Sequence, residues 1–513
     1  MDRWFNTAGP CRPEDHYMLP ATVRLPTIER LIRQKTYFVI HAPRQTGKTT
    51  AVLTLAQELT AQGKYAALMV STEVGAAYPK APKSAETAIL EAWHRAATFW
   101  LPPELQPQGW PDAESIGDAL MSWAESCPRP TVLFIDEIDA LQDDTLISVL
   151  RQLRDGYPRR PGGFPQSLAL IGLRDVRDYK VASGGSVRLG TASPFNIKVE
   201  SLTLRNFNAA EVASLYQQHT ADTGQVFTPE AVARAYELTQ GQPWLVNALA
   251  RQMVEEIAPD ATVSLTADHV DQAKEILIQR QDTHLDSLAE RLREPRVRAI
   301  IEPMIAGREL EGVSNEDIRF VLDLGLCVMS PQGGLEIANP IYREVMPRVL
   351  AVVPMASLPQ IAPTWLTPAG ELKADALLDA FLAFWRQHGE PLLRSAPYHE
   401  IAPQLVMMAF LHRVINGGGT LEREYALGTG RMDLCLRYGT VTLGIELKVW
   451  RDGRPDPVTA GLTQLDKYLG RFGLATGWLV IFDQRSGLPP IEERTTTETA
   501  KTPKGRAISV IRG

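Results

Sequence analysis

The 513-residue sequence predicts an α/β protein with two separate α/β regions, joined through a helical stretch and a small helix-and-hairpin module. Three observations carry this. Short apolar runs alternate with helical spacing over residues 1–205. The strand character then disappears over residues 206–284. An alternating segment, Gly444-Ile445-Glu446-Leu447-Lys448-Val449, restores it in the last third of the chain.

The elements follow in order. Residues 36–40, 65–70, 131–135 and 167–173 are short and apolar, which is the pattern of strands buried on both faces. Helical spacing of Ala51, Leu53, Leu55, Ala56 and Leu59 separates the first two, so a parallel sheet with helices on each side is expected. Amphipathic helices are expected at 209–220, 229–239 and 243–257, with Thr228 as a start signal and Gln240-Gly241 as a stop. Helices at 296–306 and 315–324 precede a hairpin built from 326–329, a Gly333-Gly334 turn and 335–337, which is the winged-helix plan. Pro354, Pro359, Pro363 and Pro368 make residues 351–372 a proline-rich linker. Beyond it lies a helix-strand-strand-helix-strand region to about residue 483. A polar loop follows, and 507–511 reads as an edge strand.

A hydrophobic content of 44% and a charged content of 22% fit a globular protein. The net charge of -7 advertises no general affinity for nucleic acid, although a local basic groove is enough for one. Arginines cluster at Arg151, Arg154, Arg159 and Arg160, and again at Arg291, Arg293, Arg296 and Arg298, where a solvated face is the plain reading. Cys11, Cys127, Cys327 and Cys435 make no CxxC pair, which argues against a zinc site or a disulfide framework and suits a reducing cytoplasm. No apolar run reaches the ~20 residues of a membrane span, and the N-terminus lacks the apolar core of a secretory signal.

The first chemical motif is Ala42-Pro43-Arg44-Gln45-Thr46-Gly47-Lys48-Thr49, followed by Thr50. It matches G-x-x-x-x-G-K-[ST] except that Ala42 stands for the first glycine. A buried strand precedes it and an amphipathic helix follows. Backbone N–H groups at such a helix start point at phosphates, and the helix dipole favours their charge. Lys48 would reach the β- and γ-phosphates, and the Thr49 hydroxyl would ligate Mg²⁺. The second motif is Val132-Leu133-Phe134-Ile135-Asp136-Glu137, an apolar strand ending in two carboxylates. Asp136 would hold the Mg²⁺ and Glu137 would orient the attacking water. Arg174 and, less directly, Arg205 are candidates to sense the γ-phosphate.

With Gly241-Gln242-Pro243, these segments resemble the AAA-like and STAND-like P-loop ATPases over roughly residues 1–350. The resemblance implies ATP, conformational switching, a helical lid carrying Pro243 near the nucleotide, and a winged helix. Winged helices bind DNA in some proteins and protein surfaces in others. The resemblance also implies that residues 5–10 and 15–17 lie against the base.

The second constellation is Asp433, Glu446 and Lys448. Residues i and i+2 of a strand share a face, so Glu446 and Lys448 point one way while Ile445, Leu447 and Val449 point the other. A turn near Tyr438-Gly439-Thr440 would bring Asp433 beside Glu446. Two carboxylates and the Leu447 carbonyl would make a hard oxygen site for Mg²⁺. The metal would activate a water, and Lys448 would stabilise the developing charge. This resembles the PD-(D/E)XK nuclease superfamily over about residues 375–483. Met432 stands where proline usually precedes the first acid. The resemblance adds Glu400 on a first helix and Gln464 on the helix after the ExK strand.

The expectation is therefore an ATPase core (1–205), helical lid (206–284), winged helix (285–350), linker (351–372) and nuclease-like domain (373–513). An ATP-regulated, Mg²⁺-dependent nuclease would follow, with DNA ahead of RNA as substrate. Its setting, by resemblance, would be defence against foreign DNA in the cytoplasm. A homo-oligomer and a protein or phage-derived activator would be its other partners, with no membrane. The alternative is a STAND-like signalling or scaffold ATPase whose nuclease-like domain only binds nucleic acid or partners.

Overall fold

The computed structural model describes residues 3–20, 23–173, 198–280, 283–305, 310, 312–331, 333–357, 363–395, 402–415, 419–425 and 432–513. Two compact units emerge: Met1–His284 with Val321–Pro340, and Leu285–Phe320 with Ile341–Gly513.

The first unit is built on five parallel strands, β1 (Tyr37–His41), β2 (Ala66–Ser71), β3 (Thr131–Asp136), β4 (Ser167–Gly172) and β5 (Lys198–Thr203), in the order β2-β3-β4-β1-β5. The four apolar runs give the four inner and outer strands expected of them. β5 was not legible, because its sequence Lys-Val-Glu-Ser-Leu-Thr is that of a polar edge strand with no apolar run. Successive residues feed opposite faces. Val39, Leu133 and Leu170 join a core with the helices Pro82–Trp100, Ile116–Ser126 and Asp143–Gly156. Ile40, Phe134 and Ile171 join another with Ile28–Arg33 and the helix Lys48–Ala61 that follows the phosphate-binding loop. Trp93, Trp110 and Trp123 are fully buried in the first core; side chains of this size contribute about 2–3 kcal/mol each on burial.

The helical region comprises Ala209–Thr223, Pro229–Thr239, Pro243–Gln252 and Ala267–Arg280. Asn208 and Glu211 form a capping box, and the Thr228 and Gln242 side chains cap the next two helices. The helix expected over 243–257 changes to a π turn at Met253–Ile257, so its last residues are wound differently. Gly241 has φ +69°, and a β-carbon there would sit 1.8 Å from the Phe207 carbonyl oxygen. Only glycine fits this turn. β6 (Cys327–Met329) and β7 (Leu335–Ile337) form the expected hairpin.

In the second unit, the helices expected at 296–306 and 315–324 are Pro295–Ile305 and Asn315–Asp323, the latter extending into the first unit's Val321–Pro340 segment. The helix Pro340–Ser357 continues past Leu350, so 351–357 are helical where a linker was expected, and Pro347 and Pro354 both fall inside the helix rather than ending it. Helices Ala374–Ser395 and Ala402–Ile415 then lead into a mixed sheet. Its strands are β8 (Gly419–Tyr425), β9 (Met432–Tyr438), β10 (Val441–Trp450), β11 (Gly477–Asp483), β12 (Thr496–Lys501) and β13 (Ala507–Arg512), in the order β12-β13-β11-β10-β9-β8. β8, β9 and β10 run antiparallel; β10, β11 and β13 are parallel. Residues 496–501, read as polar loop, are an exposed edge strand, and they turn the presumed edge 507–511 into the inner strand β13.

Candidate functional site

The loop after β1 is shaped by backbone geometry. Gln45 has φ +57° and Gly47 φ +80°, which turns the chain into the helix starting at Lys48. The Thr46 hydroxyl donates to the Pro43 carbonyl at 2.9 Å. The Lys48 ammonium donates to the carbonyls of Ala42 and Pro43, both at 2.8 Å. Burial pushes its pKa down to about 8, and Asp136 and Asp139 pull the other way. Arg44 is exposed at the rim. The Thr50 hydroxyl accepts from the Cys11 N–H at 3.0 Å.

β4 lies between β1 and β3, yet the loop and helix that follow β1 reach the carboxyl end of β3. The Thr49 hydroxyl donates to Asp136 Oδ2 at 2.8 Å. Burial raises the pKa of Asp136, against the pull of this hydrogen bond and of Lys48. These two hard oxygens fit a Mg²⁺ bound with nucleotide, an ion that would take up the charge burial makes costly. Glu137 sits at φ +58°, and its Oε2 accepts from the Ser71 hydroxyl at 2.7 Å. Ser71, the last residue of β2, was not singled out from the sequence. No local spacing in the sequence links it to Glu137, which it meets because β2 lies beside β3.

The helical region reaches the loop through Gln242, whose Nε2 donates to the Gln45 carbonyl at 3.3 Å, with Pro243 as the first residue of the helix it caps. The N-terminal segment ties helix and loop together: Phe5 is buried among Tyr17, Tyr216, His219 and Phe227, and the Thr7 carbonyl accepts from the Trp244 indole at 2.8 Å. Arg205 is held by Glu211 at 2.6 Å, which commits its guanidinium to the helix start rather than to a phosphate. Arg174 lies outside the described residues.

In the second unit, the register pairs Asp433 on β9 directly with Glu446 on β10. Directly paired residues of an antiparallel ladder lie on the same face. Glu446 and Lys448 are both buried and form an ion pair. Among the described residues, Glu446 Oε2 has no hydrogen-bond partner. The Asp433–Glu446 pair is the last between β9 and β10, so the backbone of Leu447 lies just beyond it. The helix Val458–Phe472, which carries Gln464, packs Leu465, Tyr468 and Leu469 on this face. It comes close because Gly444 has no side chain: a β-carbon there would meet Leu469 at 2.9 Å and Tyr468 at 3.0 Å. Glu400 lies outside the described residues, and Asp433 is described through its backbone. Among the described residues, no three His, Cys, Asp or Glu side chains converge as a metal-binding group. Among them, no helix is long and apolar enough to cross a membrane.

Residues 31–179 match the family model of the AAA domain. Several solved structures are similar. The Walker-type ATPase PABY2304 of Pyrococcus abyssi is 12% identical, with a TM-score of 0.48 over 67% of this chain and 99% of that one. The RuvB Holliday junction branch migration motor of Thermotoga maritima is 16% identical, with a TM-score of 0.35 over 64% and 92%. The ORC2 protein of Aeropyrum pernix is 16% identical, with a TM-score of 0.37 over 66% and 93%. No curated protein sequence matches the chain. The family match spans β1 to β4, where Lys48, Thr49 and Asp136 stand, and with it the chain is shown to carry an AAA-type P-loop ATPase domain that binds ATP.

Proposed function

We propose that the chain is an ATP-regulated, Mg²⁺-dependent nuclease acting on DNA, with the nucleotide state of the AAA domain controlling the second unit. One observation carries the nuclease reading: Asp433 and Glu446 are register partners, and Lys448 follows on the same strand face. Glu446 Oε2, which has no hydrogen-bond partner among the described residues, supports it. A carboxylate oxygen buried without a donor is costly, and a divalent cation would satisfy it.

In this reading Asp433, Glu446 and the Leu447 carbonyl hold the Mg²⁺. The ion would polarise the scissile phosphate and a bound water. Lys448 would leave Glu446 for the developing charge on the phosphate, and Gln464 would orient substrate from the covering helix. In the AAA domain, Lys48 would neutralise the β- and γ-phosphates. Thr49 and Asp136 would hold Mg²⁺, and Glu137 would orient water once released from Ser71. The helix Asn315–Asp323 carries Glu316, Asp317 and Asp323 against Arg319 alone, which supports a protein-facing rather than DNA-facing role for the module that contains it.

A second reading is favoured by burial. Glu446 and Lys448 are 0% and 5% exposed and are paired to each other, which suits a domain that binds without cutting, under a signalling or scaffold ATPase. Plasmid, linear and single-stranded DNA and RNA incubated with Mg²⁺, with and without ATP, separate the two. The nuclease reading expects cleavage of DNA that Asp433→Ala and Lys448→Ala abolish and Lys48→Ala alters. Absence of cleavage under every nucleotide condition overturns it in favour of the binding domain.

A further inference from the structure

Arg24 comes from the segment before the first helix, where nothing in the sequence marks it, and it ends against the phosphate-binding loop. Its Nη1 donates to the Thr46 carbonyl at 2.8 Å and to the Arg205 carbonyl at 3.2 Å. Its guanidinium lies over the Phe207 ring, 4.8 Å from the centroid. Nη2 stands 3.2 Å from where a β-carbon on Gly47 would be. The side chain is buried, at 9% exposure.

Among the described residues no carboxylate forms an ion pair with it. Glu211, the acidic group that influences it most, is already bound by both Nη atoms of Arg205. Burial accordingly lowers the pKa of Arg24 to about 10. A buried cation without a counter-charge costs stability, and one guanidinium nitrogen bridging the Thr46 and Arg205 carbonyls holds both in place.

We propose that Arg24 is a positioning residue for nucleotide phosphates. It holds the Thr46 carbonyl so that the following N–H groups of Gly47 and Lys48 face the ligand, and the phosphates supply the counter-charge the fold withholds. The group acts through the loop backbone, so it sets affinity rather than the chemical step.

The test uses the full chain with Arg24→Gln and Arg24→Lys, binding of Mg·ATP and Mg·ADP, steady-state ATPase constants, and thermal denaturation without nucleotide. Arg24→Gln is expected to weaken both nucleotides about tenfold or more while kcat stays within about threefold. Its Tm without nucleotide should be unchanged or higher, since a buried unpaired charge has gone. Arg24→Lys, which keeps charge but loses the planar guanidinium that bridges the two carbonyls, should bind with intermediate affinity. Wild-type affinity in Arg24→Gln overturns the proposal. So does a fall in Tm without nucleotide, or loss of folding, in either variant, because Arg24 would then be a structural group.

Discussion

The Ser71 hydroxyl donates to Glu137 Oε2 at 2.7 Å, so the carboxylate next to Asp136 is bound to β2 rather than turned to Thr49. Water activation by Glu137 requires that hydrogen bond to break. A neutral hydrogen bond to a charged acceptor is worth about 1.5–3 kcal/mol. Ser71→Ala is therefore expected to raise basal ATP turnover by about ten- to a hundredfold without changing ATP affinity. Glu137→Gln should bind ATP and fail to hydrolyse it. Phosphate release under saturating Mg·ATP measures both, and unchanged turnover in Ser71→Ala would leave the contact without a role in hydrolysis.

Lys48 gives a pH dependence with a definite sign. Burial brings its pKa down to about 8, so the free protein loses this charge above that pH. Bound phosphates favour the ammonium and raise its pKa. Binding then takes up a proton above about pH 8, and affinity falls as pH rises, by up to about tenfold per unit. Below pH 8 the affinity should be flat as far as Lys48 is concerned. Calorimetry at about pH 9 in two buffers of different ionisation heat counts the proton. No uptake would mean that the ammonium is fully charged before nucleotide arrives.

Much of this was legible because apolar patterning and punctuation were strong. The runs ending at Ile40, Val70, Ile135 and Leu173 marked the buried strands, and Thr228 and Gly241 marked helix ends. The register of Asp433 with Glu446 followed from the Tyr438–Thr440 turn, since a period of two leaves little freedom once one face is buried. Polar edges were illegible: β5 and β12 carry too few apolar residues to leave a pattern. Long-range polar partners were illegible as well. Ser71 meets Glu137 across 66 positions and Arg24 meets Thr46 across 22, and no local spacing records such contacts.

Gly241 offers a test of the turn that packs against Phe207, in the segment after β5. Its N–H and carbonyl both lie in a tight turn, and the carbonyl accepts from the Phe207 N–H at 2.9 Å. A methyl group at 1.8 Å from the Phe207 oxygen cannot be accommodated by rotating a side chain, because the obstacle is backbone. Gly241→Ala should cost about 2–4 kcal/mol from the clash and the positive φ together. It should also weaken ATP binding, since Gln242 next to it holds Gln45. Urea denaturation followed by tryptophan fluorescence checks the first, and a loss under about 0.5 kcal/mol would mean that this turn relaxes freely.

The buried pair of Glu446 and Lys448 permits a metal test that needs no cleavage. Removing one partner of a buried ion pair leaves an uncompensated charge and costs about 3–5 kcal/mol, a large share of the ~5–15 kcal/mol that holds a domain together. Lys448→Ala strips the cation from a carboxylate with one oxygen that no described residue satisfies. If Asp433 and Glu446 bind Mg²⁺, the ion replaces the lost ammonium, and Mg²⁺ should raise the Tm of Lys448→Ala far more than that of the parent. Glu446→Gln removes the demand for a cation, so Mg²⁺ should leave that variant unmoved, and Asp433→Asn combined with Lys448→Ala should lose the rescue. A Lys48→Ala background without nucleotide keeps the AAA domain's own Mg²⁺ site out of the measurement. Should Mg²⁺ fail to stabilise Lys448→Ala, the two carboxylates do not share an ion, and the ion pair is a structural feature of a binding domain.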